Sequence, residues 1–191
     1  MPRLIPLNGP PSIGKSTIGR RYIADHPFAF CLDIDGFRAM IGRWDEHEQE
    51  SGRLARRMAV AMARVHLAAG YDVVVPQLVA RPEFAVQLRD LAGDVGASFH
   101  EIVLLDKPEA AATRFEARAA DDVWRAHHAQ AARMIEAAGG FASMYDRFVD
   151  AIPSLPDPVV VTTESGETDL AYTAVLAVIN NVSQSGNVRG C

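Results

Sequence analysis

With 191 residues, 49% of them hydrophobic and 23% charged, the chain has the size and composition of one soluble globular domain whose core needs no metal or disulfide support. Its net charge of −5 argues against non-specific adhesion to nucleic acid or an anionic membrane, while leaving room for a local basic groove. Cys31 lies in an apolar run and Cys191 at the end, which excludes a disulfide framework and suits a reducing cytoplasm; no targeting segment or run of roughly 20 apolar residues is present.

The first expected strand covers residues 4–8 and the first helix residues 16–25. Between them Gly9, Pro10, Pro11, Ser12, Ile13, Gly14, Lys15, Ser16 and Thr17 fill the pattern G-x-x-x-x-G-K-[ST]. Strand, glycine loop and helix in that order make a phosphate cradle, because glycines let successive N–H groups turn inward at a helix start. Lys15 is placed for the terminal phosphates and the Ser16 hydroxyl for a magnesium ion. Lys15 and Lys107 are the only lysines in a chain that otherwise uses arginine, and a compact ammonium suits a phosphate-binding point charge.

The apolar run 28–32 reads as a second, buried strand ending in Asp33-Ile34-Asp35, with Gly36 and Arg38 just beyond. Carboxylates two residues apart at a strand end can divide two tasks, Asp33 in the magnesium shell and Asp35 as base toward an attacking hydroxyl. Arg38 is a candidate clamp for the transferring phosphoryl group. The alternative for Asp35 is a helix N-cap, and the two roles are compatible. A calcium loop starting at Asp33 fails, since its twelfth position is Trp44.

A long helix follows over residues 50–69, in which Leu54, Met58, Met62, Val65 and Ala69 recur at helical spacing and are expected to face the core. Residues 71–76 form the third strand, 82–94 a helix, 99–105 the fourth strand and 108–118 a helix. Gln77 and Arg81, after the third strand, are candidates for the acceptor side or for plain surface; Gln77 stands where a magnesium-holding acid often follows such a strand. Arg114 and Arg118 share one helical face, and residues 119–133, with Arg125 and Arg133, read either as a short lid that excludes water or as a charged surface. Helical pieces at 129–138 and 141–152, a fifth strand at 159–163 and a last helix at 169–182 complete the chain; a disordered tail is expected from residue 183. Strands alternating with helices imply an α/β fold with a parallel sheet and a site at the carboxyl ends of its strands. The adjacent His127 and His128 point apart on a helix and do not form a metal pair.

Gly9 to Thr17, Asp33, Asp35 and Arg38, and Arg114 to Arg118, in this order, resemble small-molecule kinases of the adenylate-kinase-like phosphate-loop class, with the chloramphenicol phosphotransferase group nearest and gluconate and shikimate kinases further off. The resemblance implies a three-layer kinase fold with a five-stranded parallel sheet ordered 2-3-1-4-5 and a short helical lid. It also implies ATP at the loop and transfer of its γ-phosphoryl group to the hydroxyl of a small molecule, an antibiotic or other metabolite. By the same likeness Asp35 is the base, Asp33 helps hold Mg2+, Arg118 packs on the adenine and Gly166-Glu167 line the adenine pocket. Pro76-Gln77 departs from the acidic residues of the chloramphenicol enzymes. The rival readings are a nucleoside or polynucleotide 5′-hydroxyl kinase, a toxin kinase acting on a nucleotide sugar, and a regulatory ATPase without an acceptor.

Overall fold

A computed structural model describes residues 1–79, 82–117, 125–163 and 167–185. Strands β1 (Arg3–Asn8), β2 (Phe30–Cys31), β3 (Val73–Pro76), β4 (Ser98–Phe99), β5 (Ile102–Leu105) and β6 (Val159–Thr162) form one sheet. The path is β2-β3-β1-β5-β6, with β4 also on β1, and every pairing is parallel. The order expected from the sequence holds once its fourth strand is seen as two pieces.

Pro6 accounts for the interruption. The register is the same on either side, Leu4 opposite Phe99 and Leu7 opposite Ile102, so no residue has been inserted. His100 N–H still donates to Leu4 O, but Pro6, next along β1 on that side, has no N–H to continue the ladder. The second strand is shorter than the apolar run suggested, because Phe28 takes a left-handed φ of 63° and pairing starts only at Phe30.

The helices are α1 (Lys15–Asp25), α2 (Ile34–Arg38), α3 (Glu48–Ala68), α4 (Pro82–Asp94), α5 (Pro108–Ala117), α6 (Arg125–Ala137), α7 (Phe141–Ala151) and α8 (Thr168–Ser185). Helix α8 therefore continues through residues 183–185, which the sequence reading gave to a disordered tail; residues 186–191 lie outside the described residues. Alternating strand residues serve the two faces of the sheet. Ile5, Leu7, Val74, Ile102 and Leu104 pack with Ile18 and Tyr22 of α1 and Val175 and Ile179 of α8. Leu4, Val73 and Val75 pack with α3 and α4 on the other side. Both faces are thus covered, as a parallel sheet requires.

Helix α3 corrects one expectation. Leu54, Met58, Met62 and Val65 are 43%, 40%, 38% and 74% exposed, and Ala69 is exposed as well. The buried stripe is Ser51, Ala55, Ala59, Ala63 and Leu67. Both stripes have the i, i+4 spacing of a helix face. The alanine face wins because it lets the helix lie close on the fully buried Leu32, Val73 and Val75, where the longer methionines would hold it away.

Candidate active site

The loop after β1 has the backbone its sequence demands. Gly9, Ser12 and Gly14 all have positive φ, at 148°, 61° and 104°. A Cβ on Gly9 would sit 2.5 Å from the carbonyl oxygen of Leu104, so the loop rests directly on the end of β5. Gly14 is the N-cap of α1, and its carbonyl accepts from Thr17 and Ile18 N–H, both at 3.0 Å. With no acid in the first turn of α1, its N-terminal dipole faces the loop uncompensated, a setting for an anion. Lys15 Nζ donates to Gly9 O (2.8 Å) and Pro10 O (2.7 Å), which holds the ammonium across the loop. Ser16 is half-buried in the same first turn and Thr17 exposed.

Arg114 supports the loop from behind. Its Nε donates to Ser12 O at 3.2 Å, and its Nη2 pairs with Asp106 Oδ2 at 2.8 Å. Asp106 follows β5, is 8% exposed, and its carbonyl accepts from Tyr145 Oη at 2.6 Å. Arg114 was expected beside Arg118 as a nucleotide contact; the structure makes it a brace that fixes the positive-φ Ser12. Asp106 was not singled out from the sequence, since an Asp before Lys107-Pro108 looks like any loop residue until α5 folds Arg114 back onto it.

At the far side of the rim, the carboxylates fall two strands from the loop. Strand β3 lies between β1 and β2, so the axes carrying Gly9 and Asp33 are roughly 10 Å apart, with Gln77 between them. Asp33 and Asp35 are both half-buried. The N-cap of α2 is Asp33, whose Oδ1 accepts from Gly36 N–H at 3.1 Å, and not Asp35, the capping alternative the sequence raised. Asp35 stands in the first turn of α2. Gln77 N–H donates to Leu7 O at 3.1 Å, and its Oε1 is buried without a hydrogen-bond donor among the described residues.

Arg38 has a different task from the phosphoryl clamp its position suggested. It is 6% exposed; Nε donates to Ser51 Oγ (3.0 Å), Nη2 to Glu48 O (2.5 Å), and the guanidinium lies 5.1 Å from the centre of the Trp44 ring. These bonds tie α2 to the start of α3. Arg133 pairs with Glu48 Oε1 at 2.5 Å, so the same glutamate also receives α6. Arg81, Arg118 and Gly166, together with the side chain of Arg125, lie outside the described residues. His128 stacks on Phe115, ring centres 4.2 Å apart, which is a packing role. Cys31 beside Asp33 has its thiol pushed up to about 11 by burial and by that carboxylate, far from the range of a nucleophile at neutral pH.

Two buried residues behind the loop also escaped the sequence reading. Asn8, the last residue of β1, and Glu101, between β4 and β5, are 0% and 2% exposed and share a hydrogen bond of 3.2 Å. Burial raises the Glu101 carboxyl to about 7.

No group of three or more metal-ligating side chains occurs among the described residues. The donors present, Ser16 Oγ and the Asp33 carboxylate, fit a magnesium ion that takes most of its ligands from phosphates and water, and do not fit a metal held by protein alone.

A positive-φ glycine loop between a central parallel strand and a helix, with carboxylates along the same rim, defines the phosphate-loop kinase fold. The chain belongs to the AAA domain family AAA_33, which it matches over residues 4–139. No curated protein matches it in sequence. Among solved structures it is similar to a candidate kinase of Chloroflexus aurantiacus, with a TM-score of 0.66, 16% identity and coverage of 96% of this chain and 97% of that one. It is also similar to the APS kinase of Mycobacterium tuberculosis in complex with AMPPNP and APS, with a TM-score of 0.59, 18% identity and coverage of 94% and 98%. The tunicamycin resistance protein of Deinococcus radiodurans gives a TM-score of 0.58 at 14% identity, with 95% and 96% covered. At such identities the likeness establishes the fold. No helix among the described residues is long and apolar enough to cross a membrane.

Proposed function

We propose that this protein is an ATP- and magnesium-dependent phosphotransferase that moves the γ-phosphoryl group of ATP to a hydroxyl of a small molecule. The observation that carries the reading is the built phosphate loop, with Lys15 held across it, and a half-buried Asp35 at the strand end two strands along the same rim. Lys15 leaves the Gly9 and Pro10 carbonyls to meet the terminal phosphates, and the N-terminus of α1 supplies N–H groups to the same anion. Asp35 takes the proton as the acceptor oxygen bonds to the γ-phosphorus; the bond to the bridging oxygen breaks and ADP leaves. Ser16 and Asp33 would hold magnesium, which when bound would neutralise phosphate charge during transfer. Gln77, Arg81 and Arg125 belong to the acceptor side of this reading, Arg118 to the adenine side, and residues 119–133 to a lid over one kinase domain. The named activities of the similar structures, an APS kinase and an antibiotic-resistance protein, support a small hydroxylated metabolite or antibiotic as acceptor.

The test is a panel of such compounds incubated with ATP and scored for an 80 Da mass gain, about the mass of one phosphoryl group transferred in this chemistry. Asp35→Asn should keep nucleotide binding and lower transfer by about 10²–10⁴-fold, whereas Lys15→Ala should weaken both. Full turnover by Asp35→Asn removes it as the base. Slow ATP hydrolysis that ignores every acceptor and is untouched by Asp35→Asn favours a regulatory ATPase instead.

A further inference from the structure

Beyond Gln77 the chain can no longer pair with β1, because β1 ends at Asn8 and turns into the phosphate loop. Val79, two residues further on and 5% exposed, still needs partners for both of its backbone groups. It finds them on one side chain. Asn8 Oδ1 accepts from Val79 N–H at 2.8 Å while Asn8 Nδ2 donates to Val79 O at 3.2 Å, the pair of bonds a strand neighbour would have offered. The same Oδ1 accepts from Gly9 N–H at 2.8 Å, and the second Nδ2 proton goes to Glu101 Oε1 at 3.2 Å. Two N–H donors on the oxygen and two oxygens on the nitrogen fix which way the amide points and use all four of these positions.

We propose that Asn8 is a positioning residue that locks the loop after β3 to the first residue of the phosphate loop, and that Glu101, behind it, holds the amide in that pose by accepting its second N–H. The proposal rests on the reading of Gly9 to Thr17 as a nucleotide site. Its consequence is geometric: Gln77 and Val79, on the acceptor side, move with Gly9, on the donor side. Glu101 fits the supporting role through its surroundings. Asn8 is the one hydrogen-bond partner of its carboxyl among the described residues, where its Oε2 has none, and no charged group from β1, the loop after β3, β6 or α7 acts on it. Arg3 and Asp72 act on the adjacent His100 instead.

The experiment uses the full chain, a fluorescent ATP analogue and residue-resolved amide exchange. In Asn8→Ala the Gly9 and Val79 amides should exchange together at least about ten-fold faster, with analogue affinity down by about ten-fold, while the amides of Val74 and Ile18 hold their rates. If Asn8→Ala does not fold, the pair Glu101→Leu and Glu101→Gln decides: leucine removes the acceptor of the second Asn8 N–H and should speed exchange of the Gly9 and Val79 amides several-fold, while glutamine, which keeps an oxygen acceptor, should not. Unchanged protection of Gly9 and Val79 in a folded Asn8→Ala protein, or equal protection of these amides in Glu101→Leu and Glu101→Gln, overturns the proposal. Absence of analogue binding by the wild type would refute the nucleotide reading instead, and the exchange of Gly9 and Val79 would still decide the role of Asn8.

Discussion

Gly9 and Gly14 occupy the two fixed glycine positions of one motif for different physical reasons. Gly9 combines a φ of 148° with contact against Leu104 O, whereas Gly14 at 104° has nothing within 4 Å of where a Cβ would stand. Alanine at Gly14 therefore costs backbone strain alone, about 1–2 kcal/mol, while alanine at Gly9 adds a collision with main chain that cannot swing aside. Gly9→Ala should lower the thermal midpoint clearly more than Gly14→Ala; equal midpoints would show that β5 yields to the loop. The sequence motif marks both glycines but not this distinction, since only the fold brings Leu104 to the loop. The same holds for Asp106, Asn8 and Glu101, whose partners lie 8, 71 and 93 positions away. Lys15, Ser16 and Asp35 could be singled out in the sequence because residue type at a fixed distance from the glycines or from a strand end is visible without the fold, and the roles proposed for them wait on the Asp35→Asn and Lys15→Ala assays.

At the scale of elements, periodicity locates α3 to within two residues at its start but not its orientation. Its two stripes differ by a rotation of about 100°, and ranking by hydrophobicity chose the one with methionines. What decides is room: α3 spans Leu32, Val73 and Val75 through alanines that are 0% exposed. Ala59→Leu should then overpack this seam and destabilise by about 1–3 kcal/mol, while Met58→Gln on the exposed stripe should change stability by no more than about 0.5 kcal/mol. Chemical denaturation of both variants checks this, and the opposite ranking would return the methionine stripe to the core. The break between β4 and β5 follows similar logic. Nothing in residues 99–105 announces it, because the missing donor belongs to Pro6 on the neighbouring strand. The contacts of Arg38, read in the sequence as a phosphoryl clamp, were hidden for a related reason: Trp44, Glu48 and Ser51 reach it only when α2 and the start of α3 fold against one another.

For the whole molecule, alternation of strands and helices with a glycine loop after the first strand was enough to place all five expected strands in order. It was not enough to show that the apolar interior comes in unequal parts. Three clusters line the sheet, but the fourth, of Phe115, Ile135 and Met144, joins α6 among the described residues to α5 and α7 alone. To the rest of the fold α6 is tied by Arg133 on Glu48, a pair 57% and 38% exposed. An exposed pair contributes less than about 1 kcal/mol, so α6 should open well before the sheet does. Amide exchange should be fastest in α6 among the helices longer than ten residues and slowest in the buried halves of α1 and α3. Arg133→Ala should speed exchange of α6 by up to about five-fold, the equivalent of that small energy, with no shift in the global thermal midpoint. Protection of α6 equal to that of α3 would mean that the small cluster and the ion pair hold it as firmly as the core. A separable α6 is what a lid over residues 9–17 requires, since such a segment has to leave and return without disturbing the loop that Arg114, Asp106 and Asn8 keep fixed.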